Sequence, residues 1–117
     1  MIRAIIVDDE ARGRKTLEVL LNQHFPEIEV VGQGENVKRG LELIEKVEPP
    51  QEGQAAHALL ISAAHLARNA AAIRGEAVRS GDLARARDAS SAAAGALMLS
   101  ARARTEIQSL LRPPQLK

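Results

Sequence analysis

The sequence predicts an α/β fold: a βαβα unit followed by a long α-helical hairpin. Three observations carry that expectation. Over the first 49 residues, short runs rich in β-branched side chains alternate with leucines at helical spacing. At Pro49-Pro50 the composition shifts to one dominated by Ala and Arg, with no further Lys until Lys117. Beyond the prolines, Ala recurs every seven residues, and a Ser-Gly-Asp break separates that stretch from another helical one.

The totals agree with this outline. A chain of 117 residues has room for one modest core. Phe25 is its only aromatic residue, so that core is built from Leu, Ile, Val and Ala, which favours closely packed helices over wide sheets. Charge is balanced at 16 basic and 15 acidic residues, giving no global attraction for nucleic acid or an anionic membrane. With no cysteine, disulfides, thiolate metal sites and thiol nucleophiles are all excluded. No signal-peptide pattern opens the chain and no apolar run nears the roughly 20 residues of a bilayer span, so a cytoplasmic protein is expected.

Residues 2–7 form a nearly continuous apolar run, as in a strand buried on both faces of a parallel sheet. Asp8-Asp9-Glu10 can cap a following helix whose inward positions are Leu17, Leu20, Leu21 and His24, and Pro26 ends it. Residues 28–32 read as a second strand. Residues 35–47 read as a second helix with Val37, Leu41, Leu43 and Ile44 inward. Short connections make this a right-handed βαβα unit over residues 1–49. The stretch 50–54 is a polar linker, residues 55–112 the hairpin and 113–117 a tail, the segments being expected to fold together as one domain.

In the hairpin, Ala56, Ala63, Ala70 and Ala77 repeat at seven residues, and Leu59, Leu66 and Ile73 follow three positions later. Small residues at one seam position and large ones at the next permit close helix–helix approach. Gly81 can take a left-handed conformation after the first helix, and Asp82 can cap the second. From there Leu83, Ala86, Ser90, Ala93, Leu97, Ser100, Arg104, Ile107 and Leu111 form a weaker stripe, and Pro113-Pro114 ends the helix. Residues 58–62 and 96–100 also suit short buried strands. Periodicity alone does not separate the two, although the surrounding Ala favours helix.

Asp8-Asp9 is the sharpest chemical feature. Ligands of open α/β sheets gather beyond the strand carboxyl ends, where two carboxylates can hold a hard cation such as Mg²⁺ through oxygen ligands. The simpler reading is helix capping and dipole compensation. Gly32-Gln33-Gly34 is no phosphate loop, since it lacks the later Gly and Lys. The arginines of the second half (Arg68, Arg74, Arg79, Arg85, Arg87, Arg102, Arg104) are interleaved with acids and have no aromatic partners for base stacking, so they read as solvated surface.

Taken together, Ile5-Ile6-Val7-Asp8-Asp9-Glu10, the Leu17-to-Leu21 helix, residues 26–32 and Gly40-Leu41-Glu42-Leu43-Ile44-Glu45 closely resemble the first half of a bacterial response-regulator receiver domain. The flavour is that of regulators with a LytTR-type DNA-binding domain. The resemblance covers residues 1–49, about two-fifths of the chain, and implies a flavodoxin-like half-fold with Asp8 and Asp9 as a residual Mg²⁺ site. No cofactor is otherwise required. The family's third strand, ending in the phosphoacceptor Asp, should follow Pro49. Here Gln51-Glu52-Gly53-Gln54-Ala55-Ala56-His57 follows, and no Asp occurs between Asp9 and Asp82. Ser100 only faintly echoes the fourth-strand motif. His65, followed by Arg68, loosely resembles a histidine phosphotransfer hairpin, but Asn69 stands where that family has Gly.

Several expectations follow. Phosphorylation by the family's usual route should fail, and no enzyme activity is expected. Loss of the third strand leaves one edge of the first strand open, a template for association. A homodimer that completes the sheet, with hairpins packed on the sheet or on each other, is therefore the expected partner state, with no nucleic acid or membrane partner. The abrupt join suggests an engineered or recombined chimera, a receiver-derived scaffold with no evolved catalytic activity. The alternative is a working two-component signalling protein with partners in a phosphorelay.

Overall fold

A computed structural model describes residues 2–112 of the chain. The fold is α/β with two parallel strands and four α-helices, and is mostly helical. The backbone divides into two compact units, Met1–Val47 and Glu48–Lys117.

In the first unit, strand β1 (Ile2–Val7) pairs in parallel with β2 (Ile28–Gly34), from Ile2 opposite Ile28 to Val7 opposite Gly34, with a register shift between Ala4 and Ile5. Strand β2 runs two residues past the expected end at Gly32. No third strand joins the other edge of β1 among the described residues. Helix α1 (Ala11–His24) connects the strands, and α2 (Val37–Glu45) follows β2. The side chain of Asn36 starts α2 by accepting a 2.8 Å hydrogen bond from the Arg39 N–H, so the helix begins two residues later than the pattern at Glu35 suggested.

The core of this unit lies between α2 and the sheet. Ile6 and Leu41 are buried, while Leu43 and Ile44 are half-buried. Gly40 permits the close approach, because a Cβ there would sit 2.9 Å from Val7 Cγ2. The inward face expected of α1 is largely uncovered. Leu17 and Leu20 are exposed, as are His24 and Phe25, and α1 buries no residue. Val37, expected inward, is also exposed at the first turn of α2. Two strands offer too narrow a surface to cover every apolar position of the two helices.

In the second unit, a single 3₁₀ turn (Gln51–Gly53) leads directly into α3 (Gln54–Ser80), so Gln54 belongs to the helix rather than to a linker. Helix α4 (Leu83–Leu111) packs along α3. Residues 58–62 and 96–100 are helical, which resolves the strand alternative and removes Ser100 from any strand. The turn follows the expected chemistry. Gly81 has φ 70°, which other residues adopt at a cost, and the Asp82 side chain accepts from the N–H groups of Ala84 (2.9 Å) and Arg85 (3.4 Å). Pro113-Pro114 and the tail lie outside the described residues.

The seam of α3 is the expected one: Ala56, Ala63, Ala70 and Ala77 are buried, and Leu59, Leu66 and Ile73 are half-buried. The seam of α4 is not. Ala89, Ala96 and Ala103 are buried, whereas all nine residues of the predicted stripe are exposed, with Leu83 at 75% and Leu97 at 72%. The true seam lies one residue earlier, a rotation of about 100° about the helix axis. Alanine on both helices selects it, since two Ala seams allow the backbones close enough for Leu66 Cδ1 to come within 3.2 Å of a Cβ placed on Gly95.

Candidate functional site

The carboxyl end of β1 is the place where the sequence concentrates candidate chemistry. Asp8 leaves the strand still tied to β2, its N–H donating to the Gly34 carbonyl at 3.0 Å. Its Oδ1 accepts from the Glu10 N–H at 2.8 Å, folding the loop back on itself. The Asp8 carbonyl accepts a 2.6 Å hydrogen bond from Arg14 Nη1, which brings a guanidinium beside the acidic pair. Asp8 and Asp9 are both exposed.

These bonds correct the capping expectation. The N-cap of α1 is Glu10, with no side-chain cap bond, and Asp8 serves the N–H of that N-cap rather than one inside the helix. Gly13 is a contributor that sequence reasoning missed. A Cβ on it would stand 3.1 Å from Asp8 Oδ2, so glycine here gives the carboxylate its room. The neighbouring face is pinned by the Gln33 side-chain amide donating to Glu18, joining β2 to α1.

Chemically, this mouth offers two adjacent carboxylates with one arginine. Oxygen ligands of this kind suit a hard cation with water completing its shell. Among the described residues, no group of three or more His, Cys, Asp or Glu side chains converges as a metal site. Holding Mg²⁺ would thus fall to Asp8 and Asp9, with solvent filling the remaining positions.

Two of the three histidines, His57 and His65, lie in the other unit. His57 is half-buried and His65 exposed on α3, and Arg68 and Asn69 are exposed one turn beyond His65. At the hairpin turn, Arg85 bridges Glu76 on α3 (2.5 Å) and Asp88 on α4 (3.4 Å). The hydrogen bond and charge of Arg85 hold the Glu76 carboxyl below its ordinary value of 4.5, and Glu76 in turn raises Arg85. Among the described residues, no helix is long and apolar enough to cross a membrane.

With that geometry in view, comparison with known proteins gives a partial likeness. A protein-glutamate methylesterase/protein-glutamine glutaminase of Methanosarcina mazei is 49% identical over 49 residues, which is 42% of this chain and 13% of that protein. A protein of the same description from Methanosarcina acetivorans is 50% identical over 48 residues, 41% of this chain and 13% of its own length. About two-fifths of this chain is homologous to part of those proteins. The chain spans only 13% of their length. No family model matches the chain, and no solved structure matches it.

Proposed function

We propose that the N-terminal unit is half of a two-component receiver that has lost its phosphoryl chemistry, and that the chain acts as a self-associating scaffold derived from signalling proteins. The observation that carries this reading is the parallel β1–β2 pair with Asp8 and Asp9 at its carboxyl mouth and no third strand beside β1 among the described residues. The partial homology supports the same origin, since the matched length of 48 to 49 residues equals that of the receiver-like stretch. A recombined or engineered join after that stretch accounts for the change to an Ala-rich hairpin. The LytTR flavour belongs to this reading as the type of regulator the half came from. The esterase and glutaminase activities named for the relatives are not carried over, because the shared stretch is 13% of each of them.

In this reading Asp8 and Asp9 retain a weak Mg²⁺ site, next to the Arg14 guanidinium held on the Asp8 carbonyl. No Asp between Asp9 and Asp82 supplies the family's phosphoacceptor. The partner is a second copy, whose β1 meets the open edge of this one. The N–H groups of Ile2 and Asp8 point to β2, so by alternation those of Arg3, Ile5 and Val7 face the open edge. Histidine phosphotransfer through the exposed His65 is the competing signalling role.

Titration with Mg²⁺ and beryllofluoride or acetyl phosphate, followed by amide NMR, tests the proposal. Mg²⁺ alone should shift Asp8, Asp9 and Arg14, and the phosphoryl donor should add nothing. A phosphoryl adduct on a carboxylate would refute the loss of chemistry, and an acid-labile adduct at His65 would establish the competing role.

A further inference from the structure

We propose that the exposed stripe of α4 is the surface on which a second copy of this chain docks, as an antiparallel helix pair centred on Leu97. The inference requires self-association but not the receiver reading, and it is independent of the β1 edge.

The first ground is the absence of charge. Residues 89–101 of α4 contain no Asp, Glu, Lys or Arg on any face, and neither do residues 54–67 of α3. Leu66 packs at Gly95, so the two stretches overlap around residues 60–67 and 94–101 and give the middle of the hairpin a charge-free belt. A solvated helix face ordinarily carries charged side chains, and a stretch without charge on any face is suited to cover by a partner surface. Only Ala89 and Ala96 are buried within that stretch of α4, while Leu97 and Met98 are exposed at 72% and 68%.

The second ground is the order of residues along the stripe. A two-fold axis at Leu97 sets residue i against residue 194 − i of the copy. Leu83 then meets Leu111, and Leu97 meets itself. Small residues meet in between, with Ala93 close to Ser100, and Ala86 leaves room for Ile107. At the ends of the stripe charge is complementary, since Asp82 at the start of α4 meets Arg112 at the end of the copy's helix, while Arg104 meets the neutral Ser90.

The third ground is area. A stripe from Leu83 to Leu111 is about 42 Å long and about 10 Å wide, giving about 400 Å². A shallow groove joins Leu83, Ala86 and Ser90 to Arg74 and the exposed Val78 of α3, which widens the face at the hairpin-turn end. The face is thus somewhat more than half of the roughly 800 Å² per partner of a standard interface, the size of a weak, concentration-dependent dimer.

Sedimentation of the full chain between about 1 and 200 µM tests the surface. The wild type should dimerise. Leu97→Glu places two carboxylates on the axis and removes two buried leucines, so the dissociation constant should rise at least about a hundredfold with helix content unchanged. Ser90→Glu should tighten the dimer about threefold or more, because each new carboxylate faces Arg104 of the copy and lies too far along its own helix to reach Arg104 there. Arg3→Pro, which removes a donor from the open β1 edge, should leave the α4 contact intact. A wild type that stays monomeric overturns the proposal. So does a folded Leu97→Glu variant that dimerises normally, or Ser90→Glu without a gain. Dissociation by Arg3→Pro but not by Leu97→Glu would assign the contact to the sheet edge instead.

Discussion

The placement of the α4 seam gives the most discriminating test of the fold, because neighbouring residues carry opposite expectations. The leucine pattern of the sequence puts Leu97 at a helix–helix seam, and the structure puts Ala96 there, 8% exposed, with Leu97 72% exposed. Truncating a buried leucine costs about 2 to 5 kcal/mol, through lost burial and the cavity left behind. Truncating one that keeps most of its surface in water removes little burial and no cavity lining, so Leu97→Ala should cost less than about 0.5 kcal/mol. Ala96→Leu adds a branched side chain between two Ala seams already close enough to bring Leu66 against Gly95, and should cost about 1 to 3 kcal/mol. Helix propensity contributes only tenths, since Ala and Leu rank close together. Urea or thermal unfolding of the full chain, followed by circular dichroism at a concentration below any dimerisation, reads both changes. The difference corresponds to several degrees in Tm. If Leu97→Ala destabilises as a core truncation while Ala96→Leu is tolerated, the helix is rotated by one residue and the seam described here is wrong.

Three further outcomes follow from local contacts. Asp82→Ala removes the acceptor for two N–H groups at the start of α4 and should lower stability by about 1 kcal/mol in the same unfolding assay, with Asp82→Asn retaining most of it. Gly40→Ala forces a Cβ to within 2.9 Å of Val7 Cγ2, so β1 or α2 must shift; the amides of Val7 and Leu41 should lose exchange protection while the hairpin is unaffected. The Glu76 carboxyl is depressed in the folded chain, so its contribution is present above its ordinary 4.5 and is lost as pH falls through the lower folded value. Acid unfolding should show a shallow decline below about pH 4.5 that Glu76→Gln flattens, and a variant with the unaltered slope would show the Arg85 contact to be absent in solution.

Elements whose signals are local were legible in the sequence. Gly81 and Asp82 carry their conformational preference within one or two residues, and the turn forms where they stand. The seven-residue Ala repeat of α3 marks its seam because the partner face is equally small. Features that depend on a partner surface were not legible. Leu17 and Leu20 have helical spacing, yet spacing does not say whether the sheet reaches far enough to cover them. On α4 the eye follows Leu83, Leu97 and Leu111, but the seam was chosen by the alanines of α3, which reward close approach more than large side chains. At the candidate site, Asp8 and Asp9 were visible as a pair at the end of a strand. The roles of Gly13 and Arg14 depend on the way the loop folds back, which no spacing rule encodes.

The two units therefore expose apolar residues for different physical reasons. In Met1–Val47 the exposed Val7, Leu17 and Leu20 stand beside a sheet of two strands, too narrow to cover them. In Glu48–Lys117 seven buried alanines on α3 and α4 form the intramolecular seam, and Leu83, Leu97 and Leu111 stand outside it on a second stripe, fourteen residues apart. A wider sheet would cover the first kind of exposure and would leave the second untouched. A chain whose open β1 edge alone drove association would have no use for a charge-free belt on α4. The belt and the edge thus make separate demands, and a single substitution in each, Leu97→Glu and Arg3→Pro, separates them.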